Sequence, residues 1–165
     1  MIKSLPLMIL QKLRDEGKIR YIGISTPEDD QNALIDLMRQ GYLDTIQVIY
    51  NIFEQQPAAE LFPEAIKNNV GVIERVVFDE GVLTGKYSAD SSFPEGDFRN
   101  NYFAGDRISR AVNRVDKIKE EFEDTGLTMP QLSLKFGLQH KAVSSVIAGV
   151  RNIDQAEKNI AVSDL

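Results

Sequence analysis

A strand-like run followed by a helix-like run, recurring about every 25 residues, constrains this chain more than any other feature. Three β-rich runs, IRYIGI, TIQVIY and VGVIERV, begin at residues 19, 45 and 70. After the first come Thr26, Pro27, Glu28 and Asp29: an N-cap residue, a first-turn proline and two acids suited to the positive end of a helix. Ala33, Leu34, Leu37 and Met38 then supply an apolar stripe, and Gly41 stops it. Alternation of this kind predicts parallel βαβ units with right-handed crossovers.

The remaining elements follow from the same signals. A helix is predicted over 6–16, where Leu7, Leu10 and Leu13 recur, Pro6 fits the first turn and Gly17 ends the run. Strands are expected at 19–24, 45–50, 70–76 and 144–148, and further helices at 58–68, 107–124, 130–139 and 153–162. The rhythm breaks at 78–106, a stretch with four Gly, one Pro and scattered aromatics. Loops that long inside a domain are usually functional or mobile. A closed parallel barrel needs about eight strands and roughly 250 residues. Four predicted strands therefore give an α/β fold of parallel (β/α) units, half of a TIM-type (β/α)8 barrel or an open sheet, expected as a single domain over residues 1–165.

Composition removes several classes of function. With 42% hydrophobic and 27% charged residues the chain is expected to fold as a soluble globular protein. A net charge of −6 and no Lys/Arg cluster argue against nucleic acid, which needs a concentrated positive face. Cysteine is absent, which removes disulfides, thiolate nucleophiles and cysteine-based metal sites and suits the cytoplasm. The opening MIKSLPLMIL runs on into QKLRDEGK without a small-residue cleavage site, so it reads as an amphipathic helix rather than a secretory leader. No stretch reaches the roughly 20 apolar residues of a membrane span.

Four stretches carry a family resemblance: IRYIGIST, DTIQVIYN, GVIERVVFDEGVLTGKY and VIAGVRNIDQAEKN, in that order. Together they make the chain similar to the aldo-keto reductase family, from the helix before the fifth barrel strand through the eighth strand and its helix. The resemblance implies a (β/α)8 fold in the whole enzyme and hydride transfer between NADP(H) and an aldehyde or ketone. It also implies that the proton-donating Tyr and its Asp, Lys and His helpers come from the first four strands, which would lie upstream of Met1. No catalytic residue is therefore expected in this chain. The residues agree: His140 falls in a turn before the last strand and reads as surface or packing, and Lys86 and Tyr87 read as solvated loop residues.

Cofactor contacts are where the resemblance places candidates. Ser25 and Gln47 match positions that hydrogen-bond the nicotinamide carboxamide; a Gln on an apolar strand must satisfy its amide in any case, and bonding to neighbouring backbone is the plain alternative. Arg75 stands where many members have an aromatic residue beneath the nicotinamide ring, and a guanidinium plane can also stack. Its structural partner is expected to be Asp79 or Glu80. Residues 76–85 match the loop whose amides approach the pyrophosphate, with Gly81 and Gly85 permitting close approach. Residues 90–106, with Phe93, Phe98, Arg99, Tyr102 and Phe103, look like a lid, although those aromatics could also simply pack.

At the C-terminal end Gly149, Val150, Arg151 and Asn152 lead into a helix whose start suits an anion. Arg151 is the candidate for the adenosine phosphate, and Gln155 and Asn159 for the adenine and ribose edge. Many family members carry a Lys-Ser pair where this chain has Gly149-Val150, so NADP is expected over NAD mainly through Arg151. The alternative is an N-capping Asn152 and a solvated Arg151. The expected function is that of an oxidoreductase segment which binds cofactor weakly and acts on a small carbonyl substrate only within a full barrel. The alternative is a non-catalytic cofactor-binding or regulatory module. Exposed strand edges predict self-association or pairing with a complementary N-terminal half.

Overall fold

The structure, a computed structural model, describes residues 5–164. The reading of the opening residues 1–4 lies outside them. The fold contains helices α1 (Leu5–Asp15), α2 (Ile35–Arg39), α3 (Leu61–Lys67), α4 (Arg99–Tyr102), α5 (Arg107–Glu121), α6 (Met129–Leu138) and α7 (Ile153–Ile160). Strands β1 (Gly23–Ser25), β2 (Thr45–Ile49), β3 (Gly71–Arg75) and β4 (Val143–Val146) form one parallel sheet in the order β1-β2-β3-β4. Each strand lies beside its successor, as in a (β/α)8 barrel, whereas an open doubly wound sheet reverses direction at a switch point. The chain divides into two compact units.

The first unit comprises the chain to Tyr50, Glu54–Arg75 and Leu138–Ile147, and holds the whole sheet. The two central strands alternate strictly. On β2 and β3 the side chains of Ile46, Val48, Val72 and Glu74 are fully buried, while Thr45, Gln47, Ile49, Ile73 and Arg75 are half-buried on the other face. On that second face Thr45 is paired in register with Gly23 on one side and Gly71 on the other. A Cβ at Gly23 would collide with the Thr45 hydroxyl, so a small residue is required there.

The strand predicted over 19–24 is shorter and later than expected. Ile22 is tied to Asp44 instead of a ladder: its N–H donates to the Asp44 carboxylate at 2.8 Å, and its carbonyl accepts from Asp44 N at 2.8 Å. The helix expected after Thr26 also begins late, at Ile35. Thr26 does not cap it, because its hydroxyl donates to Gln31 Oε1 at 2.6 Å. Gln31 is buried; its Nε2 donates to the Pro27 and Glu28 carbonyls at 2.8 and 3.1 Å, and its Oε1 accepts from Ile49 N at 3.0 Å. One buried amide thus satisfies backbone groups that a longer helix would otherwise have used.

The second unit comprises Asn51–Phe53, Val76–Gly137 and Ala148–Leu165. Helix α5 supplies its core stripe, with Ile108, Ala111, Val112 and Val115 buried at helical spacing against Val82, Leu83, Phe103 and Met129. The stretch expected as a long loop contains a 3-10 segment at Asp79–Thr84 and the short helix α4. Most of its aromatics turn inward. Phe93 stacks on Phe103 at 5.6 Å, and Tyr87 meets both rings edge-on at 5.3 and 6.0 Å. Phe98 is the exception, at 59% exposed. Among the described residues no helix is long and apolar enough to cross a membrane.

Glu74 is the costly residue of the sheet. It is fully buried, and neither carboxylate oxygen has a hydrogen-bond partner. In the same unit an aromatic cluster joins Tyr50, Phe62 and His140, with ring centroids 4.7 to 5.9 Å apart. Burial pushes the Glu74 carboxyl up to about 8, and burial followed by the Glu74 charge raises Tyr50. Because the folded pKa lies above an unfolded value of about 4.3, the proton on Glu74 stabilises the fold fully below pH ~4.3. That stability is lost as pH rises through about 8. Urea unfolding of wild type against Glu74→Gln across pH 5 to 8.5 should therefore show a stability difference growing in favour of the variant with pH; a constant difference would contradict a protonated Glu74.

Candidate functional site

In the first unit, register rather than loop geometry gathers the polar groups. Ser25 ends β1 and pairs with Gln47, while Ile49 pairs with Arg75 at the end of β3. These strand C-terminal ends are where barrels of this class carry their chemistry. The Ser25 hydroxyl donates to Gln47 Oε1 at 3.5 Å, a long contact on an exposed edge. That bond uses the Gln47 carbonyl; its amide nitrogen, a donor, has no acceptor among the described residues. Arg75 is engaged within the first unit. Its Nη2 donates to the Thr26 carbonyl at 3.2 Å, and its Nε is buried without an acceptor. Asp79 instead accepts from the Tyr102 hydroxyl.

In the second unit, the turn after β3 is strained. Val76, Asp79 and Glu80 have φ of 58°, 42° and 53°, a region that costs a non-glycine residue on the order of 1–3 kcal/mol. Val76 stands out, since β-branched side chains tolerate left-handed backbone least. Asn51, which is 1% exposed, donates through Nδ2 to the Val76 carbonyl at 3.0 Å and accepts from Phe53 N at 2.8 Å. Tyr87 is not the solvated residue expected: its hydroxyl donates to the Glu80 carbonyl at 3.1 Å and accepts from Arg99 Nη1 at 2.9 Å. Arg99 also lies 4.5 Å over the Phe93 ring and grips Asp97 at 2.9 and 2.6 Å. That grip holds the Asp97 carboxyl down at about 2, with a lesser contribution from the charge of Arg151.

At α7 the local geometry is self-contained. Asn152 caps the helix, its Oδ1 accepting from Gln155 N at 2.9 Å, and Gln155 Oε1 returns to accept from Arg151 N at 2.8 Å. Arg151 is exposed, Asn159 is partly buried one turn beyond Gln155, and a Cβ at Gly149 would meet nothing within 4 Å. The plain alternative for Asn152 is thus realised, and one face of the Gln155 amide is already used. Among the described residues no cluster of three or more His, Asp or Glu side chains is placed to hold a metal ion.

The sequence matches the pattern of the aldo/keto reductase family over residues 5–165. The chain belongs to that family. It is 26% identical over 95% of its length to an NADH-specific methylglyoxal reductase of Escherichia coli, covering 48% of that protein. It is 28% identical over 91% of its length to an aldo-keto reductase of Schizosaccharomyces pombe whose name carries NADP(+), covering 45% of it. Among solved structures it is similar to a glycerol dehydrogenase of Gluconobacter oxydans, at 27% identity and a TM-score of 0.72, over 96% of this chain and 52% of the other. The chain thus spans about half the length of the relatives it matches. The four-stranded parallel sheet is the corresponding part of their (β/α) barrel fold.

The sequence pointed to Ser25, Gln47 and Arg75 through the family resemblance; Ser25 and Arg75 end their strands, and Gln47 lies in the middle of β2. Asn51, the Asp79–Tyr102 bond and the Asp97–Arg99 pair were not foreseen. Asn51 directly follows a strand, which is a usable signal, but nothing local in the sequence announces a left-handed valine. His140 is half-buried in its aromatic cluster, and its Nδ1 accepts from Ala142 N at 3.2 Å, a packing role. Gly81 tests the strained turn: at φ 98°, a Cβ would also lie 2.6 Å from the Tyr87 hydroxyl oxygen. Gly81→Ala should destabilise the protein by about 2 kcal/mol in urea unfolding, from backbone strain and overpacking together; a neutral outcome would show that the turn relaxes freely.

Proposed function

We propose that this chain provides the cofactor-binding part of a nicotinamide-dependent aldo-keto reductase, with NADP(H) preferred and NAD(H) the alternative. The carrying observation is the Ser25–Gln47 pair, which offers a hydroxyl and an unengaged amide donor, the complement of a carboxamide headgroup. Arg75, with a buried Nε lacking an acceptor, adds positive charge on the same sheet face. Gly149, Arg151, Gln155 and Asn159 are assigned to the adenosine phosphate and its ribose, with Arg151 as the discriminating cation. Relatives named for NADH and for NADP(+) support a nicotinamide cofactor without choosing between the two.

No proton donor is assigned within the chain. Tyr102 is a poor general acid, because burial and its bond to Asp79 raise its pKa far above neutrality. A small aldehyde or ketone is then reduced only when a complementary N-terminal half supplies the acid, and the chain alone binds cofactor weakly. The edge strands β1 and β4 carry backbone groups open to pairing, so self-association or docking of such a half is expected, in a cytoplasmic setting.

Titration of NADPH and NADH, followed by dinucleotide fluorescence, tests this reading. Gln47→Ala should weaken both by about tenfold, the loss of one polar contact to the carboxamide. Arg151→Ala should weaken NADPH by about tenfold and NADH far less. Failure of the wild type to bind either dinucleotide would overturn the assignment, and carbonyl reduction by the chain alone would overturn the missing acid.

A further inference from the structure

Helix α5 carries its charges against the sense of its own dipole. Arg107, Arg110, Arg114 and Lys117, scattered in sequence, recur every three or four residues and so share one exposed face of its N-terminal part. No acidic residue stands in its first turn. Glu120 and Glu121 end the helix, and Glu123 and Asp124 follow at once in a 3-10 turn; all four are exposed. Cations at the positive end of a helix and acids at its negative end are both unfavourable. At a rise of about 1.5 Å per residue, Arg107 and Glu121 lie roughly 21 Å apart, more than two Debye lengths at physiological salt. The two ends of the helix therefore do not neutralise each other.

Part of this charge is balanced locally. Asp106 pairs with Arg110 at 3.2 Å and Asp116 with Lys119 at 3.0 Å. Among the described residues no ion pair engages Arg107, Arg114 or Lys117 at one end, or any of the four acids at the other. Two of the cations are also held in place: the Arg107 guanidinium lies 3.7 Å over the Tyr102 ring, and that of Arg114 lies 3.9 Å over the Phe53 ring. A stacked guanidinium keeps its edge donors for a partner. Phe122, 44% exposed, sets an apolar ring among the acids.

We propose that the exposed face of α5 docks on the same face of a second copy of this chain, with the two helices antiparallel across a twofold axis. The basic part of each α5 then meets the acidic end of the other, and the two helix dipoles oppose. Self-complementarity selects this occupant: a twofold contact uses one patch on both subunits, and α5 carries both signs in the order that such an axis requires. A foreign acidic segment would satisfy the basic part and be repelled by Glu121 and Asp124. One helix face is small beside the roughly 1,200–2,000 Å² of a stable interface, so the dimer is weak and salt-sensitive. This contact is separate from pairing at the edges of β1 and β4, and it does not depend on the cofactor reading.

Sedimentation equilibrium of the intact chain at about 50 and about 500 mM salt tests the proposal, because screening acts on exposed charges. Wild type is compared with an acidic variant, Arg107→Glu/Arg114→Glu, and a basic variant, Glu121→Lys/Asp124→Lys. Wild type should dimerise about tenfold more weakly at the higher salt. Each variant alone should self-associate about tenfold more weakly than wild type, and an equimolar mixture of the two should recover the association as a heterodimer. Circular dichroism verifies that each is folded; should the acidic variant unfold on losing its stacked arginines, Arg110→Glu/Lys117→Glu takes its place. A wild type that stays monomeric overturns the proposal. So does a dimer indifferent to salt and to both variants, as edge-strand pairing would give, or a mixture that recovers nothing.

Discussion

In-register parallel pairing, Ser25 with Gln47 and Ile49 with Arg75, is the constraint on which the first unit depends. Side chains alternate with a period of two, so a slip of one residue would exchange the two faces of a strand. Such a slip would bring Gln47 or Arg75 inward and expose Ile46, Val48 or Val72. Each of those buried aliphatics contributes about 2 kcal/mol, so their sum exceeds what one buried carboxyl costs while it keeps its proton. Glu74 is therefore carried into the core by its neighbours. The same pairing leaves the polar groups of Ser25, Gln47 and Arg75 on the half-open face.

The second unit solves a different problem. Its turn after β3 is locally unfavourable, and local preference alone would not keep Val76 left-handed. Helix α5 and the inward aromatics of residues 87–103 build a core in which Val82 and Leu83 are almost wholly buried. With those side chains anchored just beyond the turn, and with Asn51 and Tyr102 engaged on it, relaxation would break several contacts at once. Packing supplies the energy and hydrogen bonds supply the direction.

This division explains what could be read from sequence. Periodicity revealed the four strands, their parallel order and most helices, because alternating and helical burial are written directly in apolar spacing. Boundaries failed where a side chain replaced a backbone partner, as with Asp44 at Ile22 and Gln31 after Thr26. Ser25, Gln47 and Arg75 were legible through family resemblance, and register places Ser25 and Arg75 at strand ends and Gln47 in the middle of β2, all on one sheet face. Tyr87 was misread because two bonds at its hydroxyl come from residues 7 and 12 positions away, beyond any local pattern. Positive φ at Val76 has no sequence signature, since valine ordinarily argues for a strand there.

Glu74 and Arg75 show how adjacent residues can carry opposite kinds of unmet demand. Both hold buried polar atoms without partners, and strand alternation places them on opposite faces. On the buried face the demand of Glu74 is relieved from within, by keeping a proton and remaining neutral. Arg75 has no such route, because a guanidinium does not deprotonate in proteins. One of its nitrogens is satisfied by the Thr26 carbonyl, and Nε requires an acceptor that the described chain does not supply. On a half-buried face an acceptor can arrive from outside the chain. The face bearing Ser25, Gln47 and Arg75 is therefore the one on which a polar ligand gains most: it would satisfy a donor already removed from water, at no further cost of desolvating it.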